Sequence, residues 1–140
     1  MFDKKYQLFG LMAILTVFLL ACSPAIAEDP ITEISWQWVG LVETQPAAQS
    51  VVPNAERFTL YLDSDGSISL QVDCNAAGGS YSLKGDALSI SVGASTLAYC
   101  GDDSLDQQYL QLLAAVEIYA LEDGALFLNL ADGAGKMLFE

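Results

Sequence analysis

Apolar side chains recur at every second residue from Ile34 to Phe139, in short runs cut by turn-forming pairs, and that period confines the chain to antiparallel β structure. Ile34, Trp36 and Trp38 share one face of a first strand that ends at Gly40. Phe58, Leu60 and Leu62 alternate with Thr59, Tyr61 and Asp63; Asp63-Ser64-Asp65-Gly66-Ser67 turns the chain, and Ile68, Leu70 and Val72 return it. Residues 56–73 therefore read as a hairpin. Tyr81 and Leu83 begin another strand, Lys84-Gly85-Asp86 turns it, and Leu88, Ile90 and Val92 run back. A short strand is expected from Thr96 to Tyr99, and three more at 117–121, 126–130 and 136–139. Two stretches lack alternation. Residues 43–55, rich in Pro, Gln, Ala and Asn, read as a long loop, and Ala76-Ala77-Gly78-Gly79 reads as a break.

One segment changes period. Ser104 with Gln107 has the S-x-x-Q spacing of a capping box, and Leu105, Tyr109, Leu112 and Val116 recur at helical spacing. Asp102, Asp103 and Asp106 suit the positive N-terminal end of such a helix. The pattern predicts a single helix near residues 104–115. The fold class is mainly β: a small antiparallel, barrel-like meander of eight to nine strands with one helix. Closure removes exposed edges, which favours a barrel over the alternative two-sheet sandwich.

The N-terminus reads as an address. Lys4 and Lys5 precede an apolar run from Leu8 to Ala21, shorter than the ~20 residues that cross a bilayer comfortably but suited to a signal peptide. Leu19-Leu20-Ala21-Cys22 has the form of a lipoprotein processing site, which makes Cys22 the expected point of lipidation and the membrane a partner through that lipid. Two acyl chains anchor stably where one is marginal. Ala25-Ile26-Ala27 offers the competing site, whose use gives a soluble secreted protein beginning at Glu28. The expected organisation is a signal peptide at 1–21, a lipid-anchored linker at 22–33 and one β domain at 34–140.

Cys74 and Cys100, 26 positions apart, are expected to form a structural disulfide in such an exported domain, for roughly 3–4 kcal/mol. A metal or redox role and a reduced, inert pair are the alternatives. The chain has no histidine, so a Cys/His metal site lacks half its usual donors, and Ser-His-Asp and Cys-His nucleophiles are excluded. Asp63-x-Asp65-Gly66 lacks the third ligand and distal glutamate of a calcium loop, so turn chemistry is expected there. Asp102/Asp103 and Glu122/Asp123 sit at a helix start and a hairpin turn, where solvated acids are ordinary. No phosphate-binding glycine loop is present, because Gly78-Gly79 is followed by neither Lys-Ser/Thr nor a helix. No catalytic residue, metal ligand or cofactor is expected.

Eighteen acidic residues face five basic ones, and without residues 1–21 the balance is 17 to 3, a formal charge of −14. Such a surface repels nucleic acid, and its acidity is read as solubility rather than as a docking face for a basic partner. Trp36, Trp38, Tyr81, Phe127 and Phe139 form a candidate apolar ligand pocket inside the barrel, against the simpler expectation that they fill the core.

The chain resembles the META domain family, that of the HslJ-like envelope lipoproteins. The likeness rests on the opening Trp36-x-Trp38 strand and the Arg57-Phe58-Thr59-Leu60 to Asp65-Gly66 hairpin. It continues through Asp73-Cys74-Asn75 with Gly79-Ser80-Tyr81, Ser95-Thr96-Leu97-Ala98-Tyr99-Cys100, the helix around Tyr109 to Leu113, and the ending Leu126-x-Leu128 to Met137-Leu138-Phe139. It implies a compact barrel-like domain with a paired-cysteine bridge. It also implies an envelope protein associated with stress tolerance and without an agreed activity. The expected role is non-enzymatic, a monomeric lipoprotein domain that acts through contacts with an envelope protein partner. A lipocalin-like carrier of an apolar small molecule or lipid is the alternative.

Overall fold

The computed structural model describes residues 29–140. Nine strands form one antiparallel sheet: β1 (Ser35–Thr44), β2 (Ala47–Val51), β3 (Phe58–Leu62), β4 (Ser67–Val72), β5 (Asn75–Lys84), β6 (Ala87–Ser95), β7 (Val116–Glu122), β8 (Ala125–Leu130) and β9 (Gly135–Phe139). The single α-helix among the described residues, α1 (Asp106–Ala114), lies between β6 and β7. Neighbours follow chain order from β3 to β9, and β1 pairs with both β3 and β9, so the sheet closes into a ring. β2 stands outside the ring, hydrogen-bonded to the second half of β1. The ring is thinnest between β6 and β7, which share one bridging pair, Ala87 opposite Ile118.

Alternation sets what each strand buries. Phe58, Leu60 and Leu62 face Val72, Leu70 and Ile68 across the first hairpin, and all six are buried. Leu126, Leu128 and Leu130 of β8 and Met137 and Phe139 of β9 complete the inner face. Tyr109 and Leu113 drop from α1 onto this core, both fully buried. Trp38 stacks on Tyr109 with ring centroids 5.2 Å apart, Phe58 meets both rings edge-on, and Phe139 lies 6.4 Å from Tyr109. The two indole N–H groups are satisfied within the core, Trp36 donating to the Ile31 carbonyl at 2.9 Å and Trp38 to that of Gly40 at 2.8 Å. The hydroxyl of Tyr109 has no protein partner among the described residues.

Four details differ from the sequence expectation, each for a local reason. The first strand does not end at Gly40: a bulge between Trp38 and Gly40 resets the register, and β1 continues to Thr44. Residues 43–55 are not a long loop but contain β2, which follows a cis Gln45-Pro46 turn and exposes all five side chains. A strand that buries nothing leaves no alternation to find. Ala76 to Gly79 lie inside β5, where β6 crosses so closely that a Cβ on Gly79 would meet the Ser91 carbonyl oxygen at 2.1 Å. Ile34 precedes β1 and is exposed, while Ile31, assigned to the linker, is fully buried. Thr32 is buried beside it, and Glu33 donates its N–H to the Leu62 carbonyl, so 31–33 belong to the domain rather than to a tether.

The turns behave as their chemistry dictates. Asp65 accepts the Ser67 N–H at 2.8 Å in the first hairpin, and Asp123 and Gly124 both take positive φ between β7 and β8, as a two-residue hairpin requires. Glu33 reaches the same end of the first hairpin. Its carboxylate accepts the Tyr61 hydroxyl at 2.5 Å and the Ser64 N–H at 2.7 Å. These bonds lower the Glu33 pKa, and the bond to Glu33 pushes the Tyr61 phenol up to about 12.

Candidate functional site

Three consecutive residues, the two between β4 and β5 and the first of β5, each hold a different part of the chain. Asp73, buried and at positive φ, pairs through its carboxylate with the Arg57 guanidinium, while its N–H donates to the Arg57 carbonyl. Cys74 is disulfide-bonded to Cys100, with Cα atoms 5.5 Å apart. Asn75, also buried, accepts the Thr96 hydroxyl at 2.9 Å and the Ala98 N–H at 2.8 Å, and donates to the Ala98 carbonyl at 2.9 Å. Gln71 secures the turn from behind by donating to the carbonyls of Asp73 and Asn75.

The segment after β6 is consequently not the short strand expected from Thr96 to Tyr99. Thr96 to Cys100 make no ladder, and instead are fixed by side-chain bonds and the disulfide. Within this loop, Thr96 and Ala98 are the residues tied to Asn75, and the residues between and beyond them project outward. Leu97 is 94% exposed and Tyr99 79%. Two large apolar side chains are thus held in water on a covalently and polar-bonded loop, an arrangement with no packing purpose within the domain. The Tyr99 hydroxyl donates to the Asp102 carboxylate, which raises its pKa.

Clefts flank this loop. One, of about 630 Å³, is lined among others by Asn75, Leu97, Tyr99, Asp102, Asp106 and Leu110. The other, of about 380 Å³, is lined by Arg57, Asp73, Cys100, Asp102, Asp103 and Leu105 among others. They share Cys100, Gly101, Asp102 and Ser104. The segment Cys100 to Ser104 leading into α1 forms their common wall, and α1 itself lines the larger one. The helix begins at Asp106 rather than Ser104, and its cap differs from the expected box: Ser104 Oγ accepts the Asp106 N–H at 3.2 Å, with no reciprocal bond from Gln107.

The five aromatics proposed as a pocket do not line a common cleft. Trp36, Trp38 and Phe139 are buried in the packed core, and Tyr81 is half-buried with its hydroxyl donating to the Asp63 carbonyl at 2.8 Å. Phe127 alternates to the opposite face of β8 from Leu126 and Leu128, where Lys136 Nζ lies 4.6 Å from its ring centroid. None of them lines either cleft. Cys22 lies outside the described residues, as do the expected signal peptide and both candidate cleavage sites. Sequence reasoning missed the exposure of Leu97 and Tyr99. The signal was present, since Ala87–Gly101 is a run without a single charge in a strongly acidic chain. Among the described residues no cluster of three or more His, Cys, Asp and Glu is placed to hold a metal, and no helix is long and apolar enough to cross a membrane.

Comparison with known proteins agrees with this architecture. The family model described as META domain matches residues 29–140. An NMR structure of a protein from Burkholderia xenovorans superposes with a TM-score of 0.64 at 23% identity, over 84% of this chain and 93% of that one. A crystal structure of a duf4847 family protein from Bacteroides vulgatus ATCC 8482 gives 0.61 at 12% identity, over 80% and 94%. At these identities the likeness is one of fold. No curated protein matches the chain.

Proposed function

Because the chain belongs to the META domain family, we propose that it acts as a non-enzymatic domain of the bacterial cell envelope, working through protein contacts made by the Thr96–Gly101 loop. The observation that carries this reading is the exposure of Leu97 and Tyr99 on a loop fixed by Cys74–Cys100 and Asn75. A rigid loop loses little conformational freedom on binding, so its apolar side chains contribute more of their burial to affinity. The absence of histidine from the sequence supports a non-enzymatic role, and the mutual packing of Trp38, Phe58, Tyr109 and Phe139 favours contacts over carriage of an apolar ligand inside the ring. Cys22 anchors the domain by lipid in this proposal, with cleavage after Ala27 as the soluble alternative, and a part in envelope stress tolerance follows only from the family resemblance.

A photo-crosslinking residue at Leu97 or Tyr99, expressed in the native host, is expected to give a discrete adduct that the same residue at Asp123 does not. Equal labelling from all three positions removes the loop from the account. Turnover of an ester, glycan or peptide by the purified protein, abolished by a point substitution, overturns the non-enzymatic assignment. Intact mass of protein extracted from host membranes decides the address: a diacylglycerol-modified Cys22 start is expected, and a Glu28 start refutes the anchor.

A further inference from the structure

The loop and its clefts differ from the rest of the surface in how apolar area and charge are combined. Leu97 and Tyr99 stand on an uncharged stretch, and directly beside them Asp102, Asp103 and Asp106 line the clefts. The described residues include three cations. Arg57 is committed to Asp73, Lys136 lies over Phe127, and Lys84 lines a separate depression with Ala87 and Val116. None of the three cleft carboxylates has an ion-pair partner among the described residues. Asp102 accepts the Tyr99 hydroxyl and Asp106 accepts the Gln107 N–H at 2.6 Å, so both are held in place. The general acidity of the chain serves solubility. What is local here is fixed negative charge at the mouth of a 630 Å³ cleft whose rim carries two exposed hydrophobes.

We propose that this surface takes a basic, apolar segment of a partner protein, in which a Lys or Arg enters the large cleft toward Asp102 and Asp106 while neighbouring aliphatic or aromatic side chains cover Leu97 and Tyr99. The occupant follows from charge complementarity. A partner of the same sign meets unpaired carboxylates and is repelled, whereas a cation beside apolar groups satisfies both halves of the surface. A second copy of this acidic chain is disfavoured for the same reason. The proposal rests on the contact-surface reading above and adds the chemistry of the partner to it.

The test is fluorescence anisotropy with the full chain and a labelled Gly-Lys-Leu-Lys-Phe-Lys-Gly peptide. The comparison peptides carry Glu in place of each Lys, or Ser in place of Leu and Phe. Asp102→Asn/Asp106→Asn is expected to weaken binding of the first peptide by tenfold or more. Glu122→Gln/Asp123→Asn, which removes the same charge at the β7–β8 turn, is expected to change it less than twofold. Leu97→Ser/Tyr99→Ser should also weaken it several-fold, with an unchanged melting temperature confirming the fold. Equal loss in the two charge variants means attraction to the whole acidic surface and overturns the proposal, as does equal binding of the Glu peptide or no binding at all. Specific crosslinks at Leu97 without peptide binding sink the basic partner and leave the contact surface standing. The loss of both results sinks both.

Discussion

Replacing Tyr109 by Phe is expected to make the protein more stable, the reverse of the usual sign for a substitution in a packed core. Tyr109 is fully buried between Trp38, Phe58 and Phe139, and its hydroxyl meets no protein acceptor or donor among the described residues. Leaving a buried polar group unpaired costs roughly 1–3 kcal/mol, and Phe keeps the ring while removing that group. At about 4 °C per kcal/mol for a domain a little over 100 residues, Tm should rise by roughly 4–12 °C. A pH dependence sharpens the test. Burial holds the Tyr109 phenol well above its ordinary value of 10, so the native state keeps the proton that the unfolded chain releases above pH 10. The wild-type contribution is therefore fully present below pH 10 and is lost as pH rises, whereas Phe has nothing to titrate. The gap between the two proteins should widen by about 1.4 kcal/mol per pH unit above 10. Thermal unfolding at pH 7 and between pH 10 and 11, followed by near-ultraviolet circular dichroism, measures both effects. A Phe variant less stable by about 1 kcal/mol at pH 7 refutes the reasoning, because it means the hydroxyl is hydrogen-bonded in solution.

Cys74→Ala should lower Tm by more than 10 °C, from the ~3–4 kcal/mol that closing a 26-position span contributes, and an unchanged Tm with both thiols alkylated in the native protein removes the disulfide from the account. Gly79→Ala puts a methyl group 2.1 Å from a backbone oxygen of β6 that has little freedom to retreat, so the urea midpoint should fall by the equivalent of ~1–3 kcal/mol; a neutral result shows that β5 and β6 separate easily. Glu33→Gln should bring Tyr61 down from about 12 toward 10, because the carboxylate bond favours the neutral phenol and is lost as pH rises through that value. Ultraviolet absorbance titration reads this directly, and a Tyr61 midpoint that stays near 12 assigns the shift to something other than Glu33.

The parts of the fold that bury one face were legible in the sequence. Phe58 to Val72, Leu88 to Val92 and the last two strands alternate because one face of each meets the core, and the structure places them as that period requires, whereas β7 buries Val116 but leaves Ile118 and Leu121 exposed. What escaped are the elements whose cause is not burial. β2 exists through backbone pairing with β1 alone, and Gly78-Gly79 looks like a break although Gly79 is the residue that lets β5 and β6 approach. Thr96 to Tyr99 alternate like a strand, but all four are exposed, with Thr96 and Ala98 bonded to Asn75 and no face turned to the core. Period two reports that successive side chains point opposite ways, and cannot say which way is inward. The same ambiguity put Phe127 in a pocket with Trp38 and Phe139, although on β8, the strand beside β9, it lies on the opposite face from the core residues Leu126 and Leu128.

The pairing of β1 with β9 joins nearly the first described strand residue to the last: Gln37 and Glu140 exchange backbone hydrogen bonds at 2.8 and 3.0 Å. That seam is the most distant contact in sequence that the domain makes, and it sets an order on folding. A growing chain can form the β3–β4 and β5–β6 hairpins early, since their partners are local. It has no way to shut the sheet until residue 139 has been delivered. Until then β1 presents an open edge along its β9 side, and Trp38 and Tyr109 lack the Phe139 wall. Completion of the fold is thereby timed to the arrival of β9, and a chain stopped before it is left with an edge that invites pairing with other chains.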